Sequence, residues 1–305
     1  MTEINSLDDI NYKSPSKFKT FLVGVLGFIL LVIGFLNYYP VGDAIKKVIR
    51  TQMAGSGCNP DFGDLSINPL LLKIEVTELS LPSRCFNQAG KPLNLPFVSI
   101  NYHLISFLPL GLPFRVDTQI EGNPLSIHFV AGIGEQLIRV KDQKLSLSKL
   151  LPLVAPEFKI AGDLTVDLSM SSTYQGTMTG MNLKAVSKNF TIPGQNIQGF
   201  ELPNLRVGEI FVEASSENPP RIVIEKLIAG NPNSPIRANF KGRIDLQEGN
   251  PAFSPMELVG EVNFSPSLKE SIGILDLLME PYPQRDGFYQ VKIGGTLGAP
   301  RGSAP

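Results

Sequence analysis

Apolar and polar residues alternate along most of the chain from residue 65 onward, which is the pattern of β-strands with one buried face. Leu65–Ile67 and Leu72–Leu81 begin this pattern. Similar runs occur at Phe97–Leu104, Phe114–Ile120, Leu125–Val130, Phe158–Met170, Met178–Val186, Leu205–Glu213, Arg221–Ile228, Ile236–Leu246, Met256–Phe264 and Tyr289–Leu297. Clusters of Gly, Pro, Asn or Ser separate most of these runs, so we predict a mainly β domain built as an antiparallel meander.

Two later segments break the alternation and indicate short helices. Leu147–Val154 is long enough for one or two helical turns. Ser267–Met279 is the stronger prediction, because Ser267 and Glu270 form a capping-box pattern and apolar residues follow at helical spacing. Prolines shortly after Met279 end this helix. We expect it to cover one end or one face of the sheet.

The N-terminal region predicts a single membrane anchor. Phe21–Leu36 is apolar or glycine throughout, and no charged residue occurs from Phe21 to Gly42. Together with Asn37–Pro40 the segment has about 20 residues, the length that crosses ~30 Å of hydrocarbon. A cleaved signal peptide is the alternative, but its apolar run would be shorter and would end in a small-residue cleavage site. We therefore assign residues 1–20 to a cytoplasmic tail and residues 21–40 to a transmembrane helix.

The segment after the anchor, residues 41–55, predicts a juxtamembrane amphipathic helix. Within Val41–Met53, aliphatic residues recur at helical spacing with basic residues between them. Lys46, Lys47 and Arg50 are then free to meet anionic head groups at the membrane surface. The alternative is that this helix packs on the β domain. The sequence leaves both interpretations open.

The orientation follows from the short N-terminal tail and from the cysteines, because Lys residues flank both ends of the anchor. Cys58 and Cys85 both lie beyond the anchor in turn-rich sequence. In an oxidising compartment we expect them to form a disulfide, which would contribute about 3–4 kcal/mol by loop closure. Two free thiols are the alternative. The cysteines thus place the β-rich domain, residues 56–305, outside the cytoplasm.

Composition and motifs exclude several classes of function. The net charge of −1 argues against nucleic acid, which requires a concentration of Lys and Arg on one face. No nucleophile elbow, P-loop, dinucleotide fingerprint or zinc-protease motif occurs. His103 and His128 both lie in predicted strands and lack metal-ligand spacing. We therefore predict no catalytic, cofactor-binding or metal-binding residues, and a protein that is not an enzyme.

An apolar sheet face must be covered, and the two predicted helices are too short to hide all of it. The sheet then either closes on itself as a sandwich or barrel, the commoner solution, or remains a curved sheet that covers its face with a partner or lipid. Gly162, Gly242, Gly260 and Gly295 recur at similar strand positions and predict bends that would shape an open trough. Four nearby aliphatic residues would line such an apolar groove: Leu164, Ile244, Val262 and Leu297.

Three features together resemble protein N of the bacterial type II secretion system. They are the anchor ending in Tyr39-Pro40, the Val41–Met53 helix followed by the Leu65–Leu81 strands, and the closing segment Val291–Pro300 with its Gly-Thr-Leu-x-x-Pro pattern. The chain is also similar, more distantly, to AsmA-like envelope proteins, which are associated with lipid handling. The first resemblance implies an inner-membrane protein whose C-terminal domain lies in the periplasm, accessory to an export machine.

Two functions follow from these resemblances and from the residues. In the first, the β domain is a non-enzymatic component of the type II secretion machinery and binds other secretion proteins through strand edges or loops. In the second, the domain binds or transfers lipid and holds phospholipid or other acyl chains on its apolar face. A generic envelope protein outside any shared machine is the third reading.

Overall fold

The computed structural model of the chain describes residues 59–68, 73–82, 92–102, 111–154, 158–175, 177–197, 200–216, 219–247 and 251–305, with scattered positions from residue 24 to residue 51. These residues form a mainly β structure with a few short helices, as the alternation predicts.

Within the described residues there are seventeen strands, and fifteen of them form one large sheet. The strands are β1 (Leu65–Asn68), β2 (Lys73–Leu81), β3 (Leu93–Tyr102), β4 (Gly111–Ile120), β5 (Asn123–Gly132), β6 (Glu135–Ser146), β7 (Asp163–Thr173), β8 (Met178–Ile192), β9 (Gln195–Ile197), β10 (Phe200–Leu202), β11 (Leu205–Ser216), β12 (Arg221–Ala229), β13 (Ile236–Asp245), β14 (Met256–Phe264), β15 (Gln284–Arg285), β16 (Phe288–Thr296) and β17 (Ala299–Ser303). Strands β9 and β10 form a separate hairpin.

The order of the large sheet follows the chain closely. It runs β1-β2-β3-β4-β5-β6-β7-β8-β11-β12-β13-β14-β16-β15. Strand β17 also pairs with β16, along a different part of that strand from β15. Every pair is antiparallel, which confirms the predicted meander. Among the described strands, β1 at one end pairs only with β2, and β15 and β17 at the other end pair only with β16. The described strands therefore form one sheet with two separate ends.

Tight turns explain why neighbouring strands pair in this order. Glu121 and Gly122 link β4 to β5 as a two-residue turn, with φ of +48° and +74°. Positive φ at both positions is the requirement of a type I′ turn, and glycine at the second position meets it without strain. The turn sets Ile120 opposite Asn123, so the register of the whole hairpin follows from it.

The helices partly agree with the sequence prediction. Helix α1 (Leu147–Val154) has the predicted bounds. The segment predicted as one helix, Ser267–Met279, is instead two short helices, α2 (Pro266–Ser271) and α3 (Leu275–Met279), which Ile272–Ile274 separate. The N-cap is Ser265 rather than Ser267: the Leu268 amide donates to Ser265 Oγ at 3.3 Å. Pro266 takes the first helical position, where its missing N–H has no consequence.

The predicted glycine bends take two different forms. Gly162 and Gly295 have positive φ and lie just before β7 and near the end of β16. Gly242 and Gly260 lie inside β13 and β14, where the register between these strands is continuous. At both positions an added Cβ would overlap backbone atoms of the partner strand. These two glycines therefore allow a close approach of strands, and they do not mark a bulge between β13 and β14.

The core cluster lies in the C-terminal half of the sheet. It comprises Ala214, Ile224, Phe240, Leu258 and Val291, one from each of the consecutive strands β11, β12, β13, β14 and β16. Because neighbouring strands supply all five side chains, this core is one face of a sheet and not the space between two sheets.

The predicted anchor lies mostly outside the described residues. The described positions 24–28, 30, 31 and 34 are α-helical, and Phe28 and Leu31 are strongly exposed. Within the part of the chain that is described, no helix reaches the length and apolarity needed to cross a membrane.

Candidate functional site

The strand register places aliphatic side chains opposite one another from one end of the sheet to the other. In the β5–β6 hairpin, His128 lies opposite Arg139, which sets Ile127 opposite Val140. We call this line the central row. From β1 to β16 it consists of Ile67, Ile74, Ile100, Val116, Ile127, Val140, Leu168, Leu183, Ala214, Ile224, Gly242, Leu258 and Ile293. No polar side chain interrupts the central row.

A second line, the flanking row, lies two residues away on the same face. It consists of Tyr102, Phe114, Phe129, Ile138, Met170 and Met181. The rings of Tyr102 and Phe114 have centroids 5.5 Å apart, and those of Phe114 and Phe129 are 6.2 Å apart. Such tilted ring contacts are the favoured geometry for neighbouring aromatic side chains. The six side chains are half-buried rather than enclosed.

Two polar side chains on this face, Thr118 and Gln143, are bonded to the backbone. Thr118 Oγ1 donates to the carbonyl oxygen of Phe97 at 2.6 Å. Gln143 Nε2 donates to the Pro124 carbonyl at 2.7 Å, and its Oε1 accepts from the Ser126 amide. These hydrogen bonds use the polar groups internally. The face therefore offers a ligand nonpolar contact rather than directed hydrogen bonds.

The opposite face carries charged residues that pair across strands. Glu257 accepts from Arg243 at 2.9 Å and from Lys292 at 2.7 Å. The hydrogen bond and charge of Lys292, followed by the charge of Arg243, hold the pKa of Glu257 below its ordinary value. Arg115 and Asp117, two residues apart on β4, form a further ion pair at 2.9 Å. The sheet thus has one polar face for solvent and one apolar face.

The segment 266–283, which we call the end strap, covers the C-terminal end of the apolar face. Its residues Met279 and Tyr282 pack against the core cluster. Tyr282 also lies over β17, since a Cβ added to Gly302 would come within 2.9 Å of the Tyr282 hydroxyl. Gly302 pairs with Ile293 of the central row, so Tyr282 stands at the last strand of that row.

Three of the four residues predicted to line an apolar groove lie on this face. Leu164 pairs with Leu145 and Ser187, Val262 pairs with Ala238 and Tyr289, and Ile244 pairs with Ile222 and Met256. Leu297 follows the end of β16 and is 40% exposed, and its amide donates to the Ser254 carbonyl. The face thus includes Leu164, Ile244 and Val262, whereas Leu297 lies in the turn before β17.

The basic residues predicted at the membrane surface divide into two groups. Lys46 Nζ donates to the Gly63 carbonyl at 2.7 Å. Arg50 lies 3.7 Å from Asp61 and over the ring of Phe62. These contacts correspond to the alternative in which the juxtamembrane segment packs on the β domain. Lys47 is exposed.

Other predicted residues give less information. Cys58, Cys85 and His103 lie outside the described residues, so the disulfide stays a prediction. His128 lies on the polar face, opposite Arg115 and Arg139. Among the residues described, no three His, Cys, Asp or Glu side chains come together as a metal site.

The rows and the end strap's contacts are not evident in the sequence. The signal that pointed to them was the alternation itself, but a row also requires the register of each hairpin. Comparisons of the chain with protein-family models, with curated proteins and with solved structures find no match. The geometry of the apolar face is therefore the basis for a functional proposal.

Proposed function

We propose that this chain is a non-enzymatic envelope protein whose apolar sheet face binds the acyl chains of lipids. The single observation that carries the proposal is the central row, which crosses thirteen paired strand positions without a polar side chain. A soluble domain rarely leaves such a surface bare, so an apolar occupant is expected.

The dimensions support an acyl chain as the occupant. Neighbouring strands lie about 4.8 Å apart. A bilayer core of ~30 Å holds two chains end to end, so one chain of about 15 Å would cover about three strand spacings. The part of the face from β2 to β8, which lies outside the core cluster, spans about twice that length. The AsmA-like resemblance of the sequence supports the same class of ligand.

Photocrosslinking in the full chain tests this function. A photoreactive phenylalanine analogue replaces Leu168 on the apolar face or its neighbour Ser169 on the polar face. Because adjacent strand residues point to opposite faces, the two positions differ only in which face they report. We expect lipid adducts, detected by mass spectrometry, at Leu168 and none at Ser169. Equal labelling at both positions, or none at either, would contradict the proposal.

A second candidate function has its own support. The sequence resembles protein N of the type II secretion system, which implies an inner-membrane protein with a periplasmic domain that binds secretion proteins. Strand β17 is exposed along its whole length and, within the described residues, pairs only with β16. An exposed edge strand can pair with a partner chain, although Pro300 removes one donor from this edge.

Crosslinking at the same edge tests the second function. A photoreactive residue at Arg301 of β17 should capture a component of the secretion machinery in cells that carry it. The matched control is Glu225, an exposed residue on a central strand. Capture of the same protein at both positions, or capture only of proteins unrelated to secretion, would contradict an assembly role through this edge.

A further inference from the structure

The end strap covers only one end of the apolar face. Its residues Met279 and Tyr282 pack on the core cluster, in which Ile224, Phe240 and Leu258 are at most 8% exposed. At the other end, the central-row residues from Ile67 to Ile127 are half-buried, although Val76 and Thr118 on the same face are only 6% exposed. The contacts of Met279 and Tyr282 are with the C-terminal strands of the row.

Several contacts hold the end strap to the last strands of the sheet. Ser265 caps its first helix. Lys269 Nζ donates to the Tyr289 hydroxyl of β16 at 2.8 Å and pairs with Asp276 of the second helix at 2.9 Å. The hydrogen bond to Tyr289, followed by the one to Asp276, raises the pKa of Lys269 above its ordinary value.

The far end of the end strap is also attached. The Gln290 amide of β16 donates to the Pro283 carbonyl at 2.8 Å, and the Tyr282 amide donates to the Met279 carbonyl. Gly302 leaves the space that the Tyr282 hydroxyl occupies. Contacts at both ends and in the middle are those of a fixed cover rather than of a lid that swings open.

From these contacts we infer that Met279 and Tyr282 end the acyl-chain site before β16. Acyl chains bind along the central row between β2 and β8, and the end strap occupies the corresponding space at β13–β17. The site is then closed at its C-terminal end, so that it holds lipid rather than passing it along the whole sheet. The inference rests on the proposed lipid-binding function, and Met279 and Tyr282 determine where the site stops.

Crosslinking at two isoleucines of the central row tests the inference in the full chain. Ile127 of β5 lies outside the core cluster, and Ile293 of β16 pairs with Gly302, over which Tyr282 lies; both isoleucines are half-buried. With a photoreactive residue at each position in turn, we expect lipid adducts at position 127 and none at position 293. This comparison leaves the end strap unchanged, so it does not depend on whether an altered strap folds.

A pair of strap variants completes the test. The double change Met279→Ala and Tyr282→Ala removes the side chains that pack on the core cluster. The control, Leu277→Ala and Leu278→Ala, removes exposed side chains from the same helix. We expect adducts at Ile293 to rise to the level at Ile127 in the first variant and to stay absent in the control.

The possible results separate the two proposals. Adducts at both Ile127 and Ile293 in the chain with an unaltered strap would overturn the inference that the site is closed at its C-terminal end, and would leave lipid binding standing. Adducts at neither would overturn lipid binding and the inference with it. Continued absence of adducts at Ile293 in the folded Met279→Ala, Tyr282→Ala variant would show that these side chains do not end the site, which also overturns the inference.

Discussion

Two glycines in the middle of the sheet occupy positions where no side chain fits. At Gly242 and Gly260, an added Cβ would overlap the carbonyl oxygens of Glu257 and Asn239, which belong to the facing strands. The strands would have to separate to accept even a methyl group. At these positions glycine is required for close backbone approach and not for its turn-forming freedom.

The change Gly260→Ala should therefore destabilise the β domain. Overpacking of a filled interior typically costs about 1–3 kcal/mol, and rigid backbone neighbours give little room for relief. Chemical denaturation of the purified chain measures the free energy of unfolding. The control is Gly273→Ala, since a Cβ there meets nothing within 4 Å. Equal stability of the two variants would contradict the close approach at Gly260.

On the polar face, the carboxylate of Glu257 forms ion pairs with Arg243 and Lys292, and these depend on pH. Lys292 and then Arg243 hold its pKa in the folded chain below the ordinary value of 4.5. A carboxylate with a lowered folded-state pKa stabilises the fold above its unfolded-state pKa, and the contribution disappears as the pH falls through the folded-state pKa.

The variant Glu257→Gln should thus be less stable than the natural chain at neutral pH and equal to it in acid. The effect is small, because the group is exposed and solvent screens the ion pairs. Denaturation midpoints of both proteins, measured from neutral pH to below 4.5, check this. A difference that stays constant over this range would show that the charge of Glu257 is not the cause.

At the scale of elements, the end strap shows how a local sequence pattern can suggest the wrong cap. Ser267 with Glu270 fits a capping box, yet Ser265 accepts from the Leu268 amide. Pro266 explains the difference, because proline is favoured in the first turn of a helix and the cap then falls on the residue before it. Gly273, which lies between the two helices, weakens the helical continuation that the apolar spacing suggests.

The change Ser265→Ala should loosen the end strap, whereas Ser267→Ala should not. Loss of an N-cap side chain typically costs about 1 kcal/mol. Hydrogen exchange of the amides in Pro266–Ser271 should therefore quicken in the Ser265→Ala variant only. Faster exchange in both variants, or only in Ser267→Ala, would assign the cap to Ser267.

The strands themselves could be predicted, but their register could not. Alternation marks the strands, since apolar residues take every second position at Ile74 and Val76 of β2 and at Met256, Leu258, Val262 and Phe264 of β14. Bulges change the register at places without an evident local signal, such as between Val140 and Gln143 or between Ile224 and Leu227. The alternation predicts Leu297 on the apolar face, but β16 ends at Thr296 and Leu297 lies in the turn before β17.

At the scale of the whole molecule, the rows arise only when all the hairpins are assembled. Thirteen strands contribute one residue each to the central row, so no local stretch of sequence contains it. The choice between a closed sheet and an open one likewise depends on whether the end strands meet. Leu164, Ile244 and Val262 were predictable because each lies in a strand with regular alternation.

The central claim is that lipid occupies the apolar face, and a count of bound phospholipid tests it most directly. The full chain is purified and native mass spectrometry measures phospholipid per chain. The test variant is Leu164→Asp, on the apolar face; the control is Thr165→Asp, its neighbour on the polar face. We predict that bound phospholipid falls in Leu164→Asp and is unchanged in Thr165→Asp, with both chains folded. The same phospholipid count in the natural chain and both folded variants would contradict the account.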